Sequence, residues 1–407
     1  MRLGQIIFNL SVILFPTLII FIPHGGGSIL LIPLIYSLFN IFYFKDKEDF
    51  TKNERLFVLS FLLYVLIIFL SNIYHNLQLA EFDTPSRILM MIPIFIYLRR
   101  NNFDLTPSIF LGSILVISIT FILFMIQDYI SLNGFDFFEN SLIVSAPGNA
   151  SLFLTFFSFA SLIAATDNKN RIYRLIYFLF FSMGLFLIIE LASRGIWLSI
   201  ILSSTTLFVL NFFHRRGSQF SKILVIFILI FSIFISYSRE HSRIKVKVDR
   251  FVNEIQNLDT DVVNDTSIGL RYMALNKALD NIGENFWLGV GEGGFKNIKF
   301  KDIETENNQS PSLEMPHTHN EYLSSLIEQG IFGLLSLLFL FFAPFKVFLR
   351  NMNSILKSNR TMSKLGMILV LTYSYYAISA NVFAHQITTL FFAFFLVLIV
   401  SRIRESA

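Results

Sequence analysis

Met315-Pro316-His317-Thr318-His319-Asn320-Glu321-Tyr322 leads through Gln329-Gly330-Ile331-Phe332-Gly333 into an apolar stretch at 329–349. An apolar run of that length reads as a membrane-spanning helix, because about 20 apolar residues cross the hydrocarbon core. Thr318 and Glu321 have the S/T-x-x-E spacing of a capping box. That spacing makes Thr318 the expected N-cap and His319, Asn320 and Glu321 the first three helical residues. Their backbone N–H groups would lack intrahelical partners and face outward with the positive end of the helix dipole. Such an end attracts phosphate and keeps an imidazole neutral. The same residues also fit a plain capped helix start with an exposed histidine.

The rest of the chain agrees with a membrane setting. Of 407 residues, 54% are hydrophobic, 49 are Phe and only 15% are charged. A soluble domain of this size does not need so much apolar sequence. The basic pI of about 9.1 is therefore loop charge on a membrane protein rather than a nucleic-acid signal. There is no cysteine, which excludes disulfides, thiolate metal sites and thiol nucleophiles. About twelve apolar spans are expected, near 6–22, 28–44, 56–72, 88–98, 105–126, 149–166, 175–191, 195–213, 222–237, 329–349, 365–384 and 388–401. The fourth is short, and Thr84-Pro85-Ser86-Arg87 is its expected first turn. The first follows a single basic residue, Arg2, and lacks a small-residue cleavage site before Pro23, so it reads as a retained span. The expected architecture is an all-α polytopic membrane protein with one large, partly helical extracytoplasmic loop. Residues 1–237 would hold spans one to nine, 238–328 the loop with the catalytic residues, and 329–407 the last three spans.

Charge fixes the expected orientation. Of the 32 basic residues, 20 fall on one set of ends and loops, from Arg2, Lys45 and Arg99 through Lys169, Arg215 and Arg350 to Arg402. The opposite short loops carry only Arg87 and Arg194. Basic residues collect on the cytoplasmic side, so both termini should be cytoplasmic and the long 238–328 segment outside. The two outer arginines run against this bias, and each should have a local partner. Arg194 could pair with Glu190 one turn earlier, and Arg87 could snorkel to headgroups.

Within the long segment, 239–250 is basic and 259–265 acidic and turn-like. Ile268–Ile282 has helical apolar spacing, with Arg271 near its start, where a cation opposes the helix dipole and suggests an anion nearby. Phe286–Phe295 contains G-x-G-x-G-G but follows a helix rather than a strand. Nucleotide binding is therefore excluded in favour of a tight turn, with N–H groups that could point at a ligand. Residues 304–312 read as a polar loop. The stretch 140–150 enters the sixth span through small residues. His75, Asn381 and His385 near span ends read as interfacial. His317 and His319 at i, i+2 do not share a helix face, and no third metal ligand is near in sequence.

What remains outside is isolated arginines and one histidine. Cations suit a multiply charged phosphate, and a neutral histidine suits removal of a hydroxyl proton. A lipid-linked pyrophosphate would use both. At these residues the chain resembles the O-antigen ligase/polymerase family of bacterial membrane proteins. Ala192-Ser193-Arg194-Gly195-Ile196-Trp197-Leu198 is similar to its S-R-G-x-W-L turn, and Ser267-Ile268-Gly269-Leu270-Arg271 to its G-x-R helix start. Leu288-Gly289-Val290-Gly291-Glu292-Gly293-Gly294-Phe295 is similar to its L-G-x-G-x-G-x-F turn. His317 to Leu323, with Glu328-Gln329-Gly330-Ile331-Phe332-Gly333, resembles its H-N-x-x-L…E-x-G-x-x-G signature.

The resemblance implies an inverting glycosyltransferase working without a metal or other cofactor. Its donor would be undecaprenyl-diphosphate-linked glycan. In a ligase the acceptor is a sugar hydroxyl of lipid A core; in a polymerase it is a second lipid-linked glycan. Arg194 and Arg271 would grip the donor diphosphate and His319 would orient or deprotonate the acceptor. His317 and Asn320 belong to the same signature as substrate-binding candidates; Arg87 joins them from topology alone. The Ser267–Arg271 stretch and the single dominant outer loop favour ligase. A transporter or flippase is the competing class, although transporters show repeated halves and broken helices with midplane sites. Membrane lipids are expected partners and nucleic acid is not.

Overall fold

A computed structural model of the chain describes residues 2–22, 26–43, 50–132, 147–191, 193–213, 267–298 and 317–403. The expected span at 222–237, the 239–250 and 259–265 stretches, the 304–312 loop and most of 140–150 lie outside these residues. Most of the described residues are helical: α1 Arg2–Phe21, α2 Leu31–Tyr43, α3 Lys52–Tyr74, α4 Asp83–Ser86, α5 Met91–Asn101, α6 Thr106–Leu132, α7 Pro147–Asp167, α8 Arg171–Glu190, α9 Arg194–Phe213, α10 Ser267–Asn285, α11 Glu321–Asn351, α12 Lys357–Tyr376 and α13 Gln386–Arg402. Six of them (α1, α3, α6, α7, α8 and α11) are long and apolar enough to cross a membrane, while α2, α9 and α13 are shorter apolar helices. Most expected spans on described residues fall on a helix, but the one expected at 365–384 lies about eight residues too late: α12 ends at Tyr376 and 377–385 form a non-helical connection. A further exception is the fourth, where α4 and α5 are separate and Arg87–Met90 form a turn between them.

Helix α7 is the centre of the bundle, 89% buried over its apolar window. It can be buried because small residues let neighbours approach closely, the usual solution where lipid offers no hydrophobic drive between helices. A Cβ added at Gly184 of α8 would come within 2.1 Å of Ser158 Oγ. The α7 hydroxyls are satisfied locally: Ser151, Thr155 and Ser158 donate to carbonyls four residues back, and Ser161 pairs with Ser113 of α6 at 2.9 Å. Against the other side of α7 lies α13, through Phe153–Phe391 and Phe156–Phe395 at 4.4 and 4.9 Å between ring centres. Much of the unusual Phe content is thus spent on interlocking rings.

The bundle has two chemically distinct ends, read along the α3–α11 pair, whose helices pack together. At the α3 start, Thr51 caps with Glu54 in a true capping box, Glu54 pairs with Arg99, and Arg350 donates to Asn53 at 2.9 Å. Lys364 pairs with Asp167 at 3.4 Å. The other end of α3 meets Leu288 and Glu328: Ser71 donates to the Glu328 carbonyl, and His75 Nε2 lies 3.4 Å from the Leu288 carbonyl.

Candidate functional site

At that second end, α11 does not begin where the S/T-x-x-E spacing puts it. The N-cap is Asn320, whose Oδ1 accepts from Leu323 N at 3.0 Å. Thr318 instead braces the turn before the helix, its hydroxyl donating to the Asn320 carbonyl and accepting from Asn320 N. Between them His319 takes φ +55°, the left-handed region that histidine enters more readily than most side chains. That turn delays the helix to Glu321. The expectation of an anion-attracting helix end is corrected with it. The Glu321 N–H donates to the Ala377 carbonyl at 2.8 Å, and the Leu323 N–H is taken by Asn320.

His319 is nevertheless held towards its neutral form, for a different reason. Partial burial lowers its pKa below the usual value, and the positive charge of Arg271 lowers it further. Arg271 stands exposed in the first turns of α10, and its charge also reaches Tyr376 at the end of α12. Tyr376 hydrogen bonds the Ser193 side chain. Ser193 caps the turn into α9, its carbonyl accepting from Ile196 and Trp197, and Arg194 is the first residue of that helix. The glycine that follows is a steric necessity: a Cβ at Gly195 would lie 2.1 Å from Ser379 Oγ. Trp197 ties the turn back to α8 by donating to the Ile188 carbonyl at 3.2 Å. Arg271 and His319 are therefore brought together, and the residue preceding Arg194 is joined to them through Tyr376.

His317 lies on the other side of His319. Its pKa is lowered by burial first and then by His385, His319 and Lys296. The His317 and His385 rings are 6.4 Å apart, nearly perpendicular. His385 precedes Gln386, which donates to Asp83 at 2.7 Å, and Asp83 pairs with Arg87 at 2.8 Å. Arg87 thus has a protein partner rather than only a headgroup, and it connects to the histidines by this path. Asn320 contributes to the same rim, with its carbonyl side committed to capping.

The glycine-rich turn is a brace. Gly289, Gly291 and Gly293 all have positive φ, and so does Gly330, which breaks α11. The N–H groups of Val290 and Gly291 donate to the Ile327 and Glu328 carbonyls, and Ile331 N donates to the Phe286 carbonyl. The backbone groups freed by the break are satisfied by the turn, so these amides are not available to a ligand. Within the turn, the half-buried Glu292 has its carboxyl pushed up to about 8, by desolvation and then by Glu321 and Glu81, while Gln329 donates to it at 2.6 Å.

Sequence reasoning missed Tyr376, quoted Ser193 only as part of a motif, and set His385 aside. The short connection 377–385 carries no pattern that announces contact with α9 and α11. Only its position between two spans placed it at this end.

Arginine, histidine and tyrosine thus gather at one end of a bundle of apolar helices. Residues 176–338 match the family described as O-antigen ligase. The match bears out the resemblance to the O-antigen ligase/polymerase family and supports glycosyl transfer as the activity class. The chain is also similar to an uncharacterized protein of Haemophilus influenzae, 25% identical over 393 residues, which cover 94% of this chain and 95% of the relative. The apolar helices and the likeness to this family are those expected of a bacterial membrane protein.

Proposed function

We propose that the chain is an O-antigen ligase, moving glycan from undecaprenyl diphosphate to a sugar hydroxyl of lipid A core by metal-independent, inverting transfer. In this reading it has twelve spans in the inner membrane, cytoplasmic termini, and the His319 end in the periplasm. The observation that carries it is the charge of Arg271 acting on His319, which helps hold the imidazole towards its neutral form, beside the turn that presents Arg194. Guanidinium groups match phosphate oxygens, and they offset the charge that builds on the diphosphate as its bond to the anomeric carbon breaks. His319 accepts the proton of the acceptor hydroxyl while that oxygen attacks the opposite face of the sugar, which inverts the anomeric centre. His317 and Asn320 border the acceptor side.

The test is a reconstituted assay with lipid-linked glycan, offering lipid A core and, separately, no lipid A, in the presence of EDTA. Transfer to lipid A core is expected, with His319→Ala and Arg271→Ala each reducing it at least ~100-fold. Full activity in both variants would remove this site. A ladder of lipid-linked polymer made without lipid A would establish a polymerase instead. Loss of all transfer on chelation would refute the metal-free mechanism. Transport of a lipid by a His319→Ala protein would point to the flippase class.

A further inference from the structure

Arg87 does more than pair with Asp83. It lines a cavity of about 270 Å³ whose polar end is Arg87, Asp83 and Gln386 and whose apolar wall includes Leu31, Leu34 and Met90. Leu31 and Met90 are themselves 48% and 40% exposed, so the apolar wall continues to the outer surface of the bundle. The Arg87 Nε is buried without a hydrogen-bond partner, although its Nη2 is 2.8 Å from Asp83. A buried donor of this kind calls for an acceptor. The volume lies just below the usual range of ligand sites, about 300–1,000 Å³, and suits a headgroup rather than a whole lipid.

We propose that this cavity seats the phosphorylated sugar headgroup of a glycolipid, with its acyl chain leaving along the Leu31–Leu34–Met90 wall. The guanidinium takes the phosphate. Asp83 and Gln386, already joined at 2.7 Å, supply the acceptor and donor atoms that neighbouring sugar hydroxyls need. A bare anion would not favour a carboxylate beside the arginine, whereas a headgroup carrying both phosphate and hydroxyls uses all three side chains. The cavity reaches the histidines through the start of α13, where His385 is 6.4 Å from His317. Arg271 acts on His319 from α10, and the same charge reaches Tyr376 at the end of α12. Two lipid headgroups can therefore approach one histidine cluster from separate elements. That the cavity holds the acceptor, and not merely a glycolipid, rests on the glycosyl-transfer reading.

The experiment separates the two claims. Purified protein in detergent is titrated with a monophosphorylated diacyl-disaccharide lipid, with binding followed by native mass spectrometry. Arg87→Gln should weaken binding at least about tenfold, and Arg87→Lys should recover part of it, since the phosphate contact is charge-assisted. Met90→Trp, which fills the cavity from its exposed edge, should weaken binding without touching a charge. Arg271→Gln should leave it unchanged. Wild-type binding by both Arg87→Gln and Met90→Trp overturns the site. So does equal competition by phosphatidylcholine, by phosphatidylglycerol or by inorganic phosphate, each of which lacks the sugar. These results stand whether or not transfer is observed. In the transfer assay the same Arg87→Gln protein should raise KM for the acceptor and leave KM for the donor unchanged. The reverse split would refute the acceptor assignment alone.

Discussion

His319 combines a left-handed backbone with a depressed pKa, and the two can be tested apart. Burial is the larger cause of its lowered pKa and Arg271 the second. The active form in the proposed mechanism is neutral, so activity should rise with pH through the lowered pKa and then level off. Removing the Arg271 charge takes away one lowering influence. The acidic limb of kcat/KM in Arg271→Gln should therefore move to higher pH, in addition to the loss of rate; an unmoved or lower limb would contradict that influence. The φ of +55° gives a second handle. His319→Gly should raise thermal stability in detergent, by about 1 kcal/mol of relieved strain, while abolishing transfer. A residue kept for stability would show the opposite pattern.

At the scale of elements, the break in α11 and the turn at 286–294 depend on each other. A Cβ at Gly330 would fall 2.2 Å from the Trp287 carbonyl oxygen, and one at Gly289 would fall 2.3 Å from the Glu328 backbone. Backbone on both sides leaves nothing flexible to yield. Gly330→Ala, with φ +69° and ψ −163° in a region reserved for glycine, should cost on the order of 3 kcal/mol, read as a large drop in melting temperature of the purified protein. Gly283 in α10 is the internal control: it has open space around its Cβ position. Gly283→Ala should stabilise by about 0.5–1 kcal/mol through helix propensity. If both substitutions behaved alike, the bracing role of the turn would be wrong.

At the scale of the whole molecule, charge sorts the bundle into two ends. Arg99, Arg350 and Lys364 are tied into one by Glu54, Asn53 and Asp167. The other end holds Arg87, Arg271, His317 and His319. The absence of native cysteine makes orientation measurable. Asn76→Cys, at the exposed turn after α3, should react with a membrane-impermeant thiol reagent in intact cells with an opened outer membrane. Lys169→Cys, between α7 and α8, should react only after the inner membrane is permeabilised. The opposite result would put the candidate site in the cytoplasm, away from a periplasmic acceptor.

The sequence by itself determined the helical membrane class, the positions of most of the spans on described residues, and Arg271 and His319 as candidates; it joined α4 and α5 into one fourth span and set the 365–384 span about eight residues too late. The features it determined depend on hydropathy and local motifs, which act over a few residues. It misplaced the α11 cap because Thr318 and Asn320 can both cap, and choosing between them required the His319 turn and the Ala377 carbonyl from α12. The Ser193–Tyr376 bond, the His317–His385 pair and the Arg87–Asp83–Gln386 group join residues far apart in the chain. Only tertiary packing decided them, because no local pattern records which helix ends will share the same few ångströms of space.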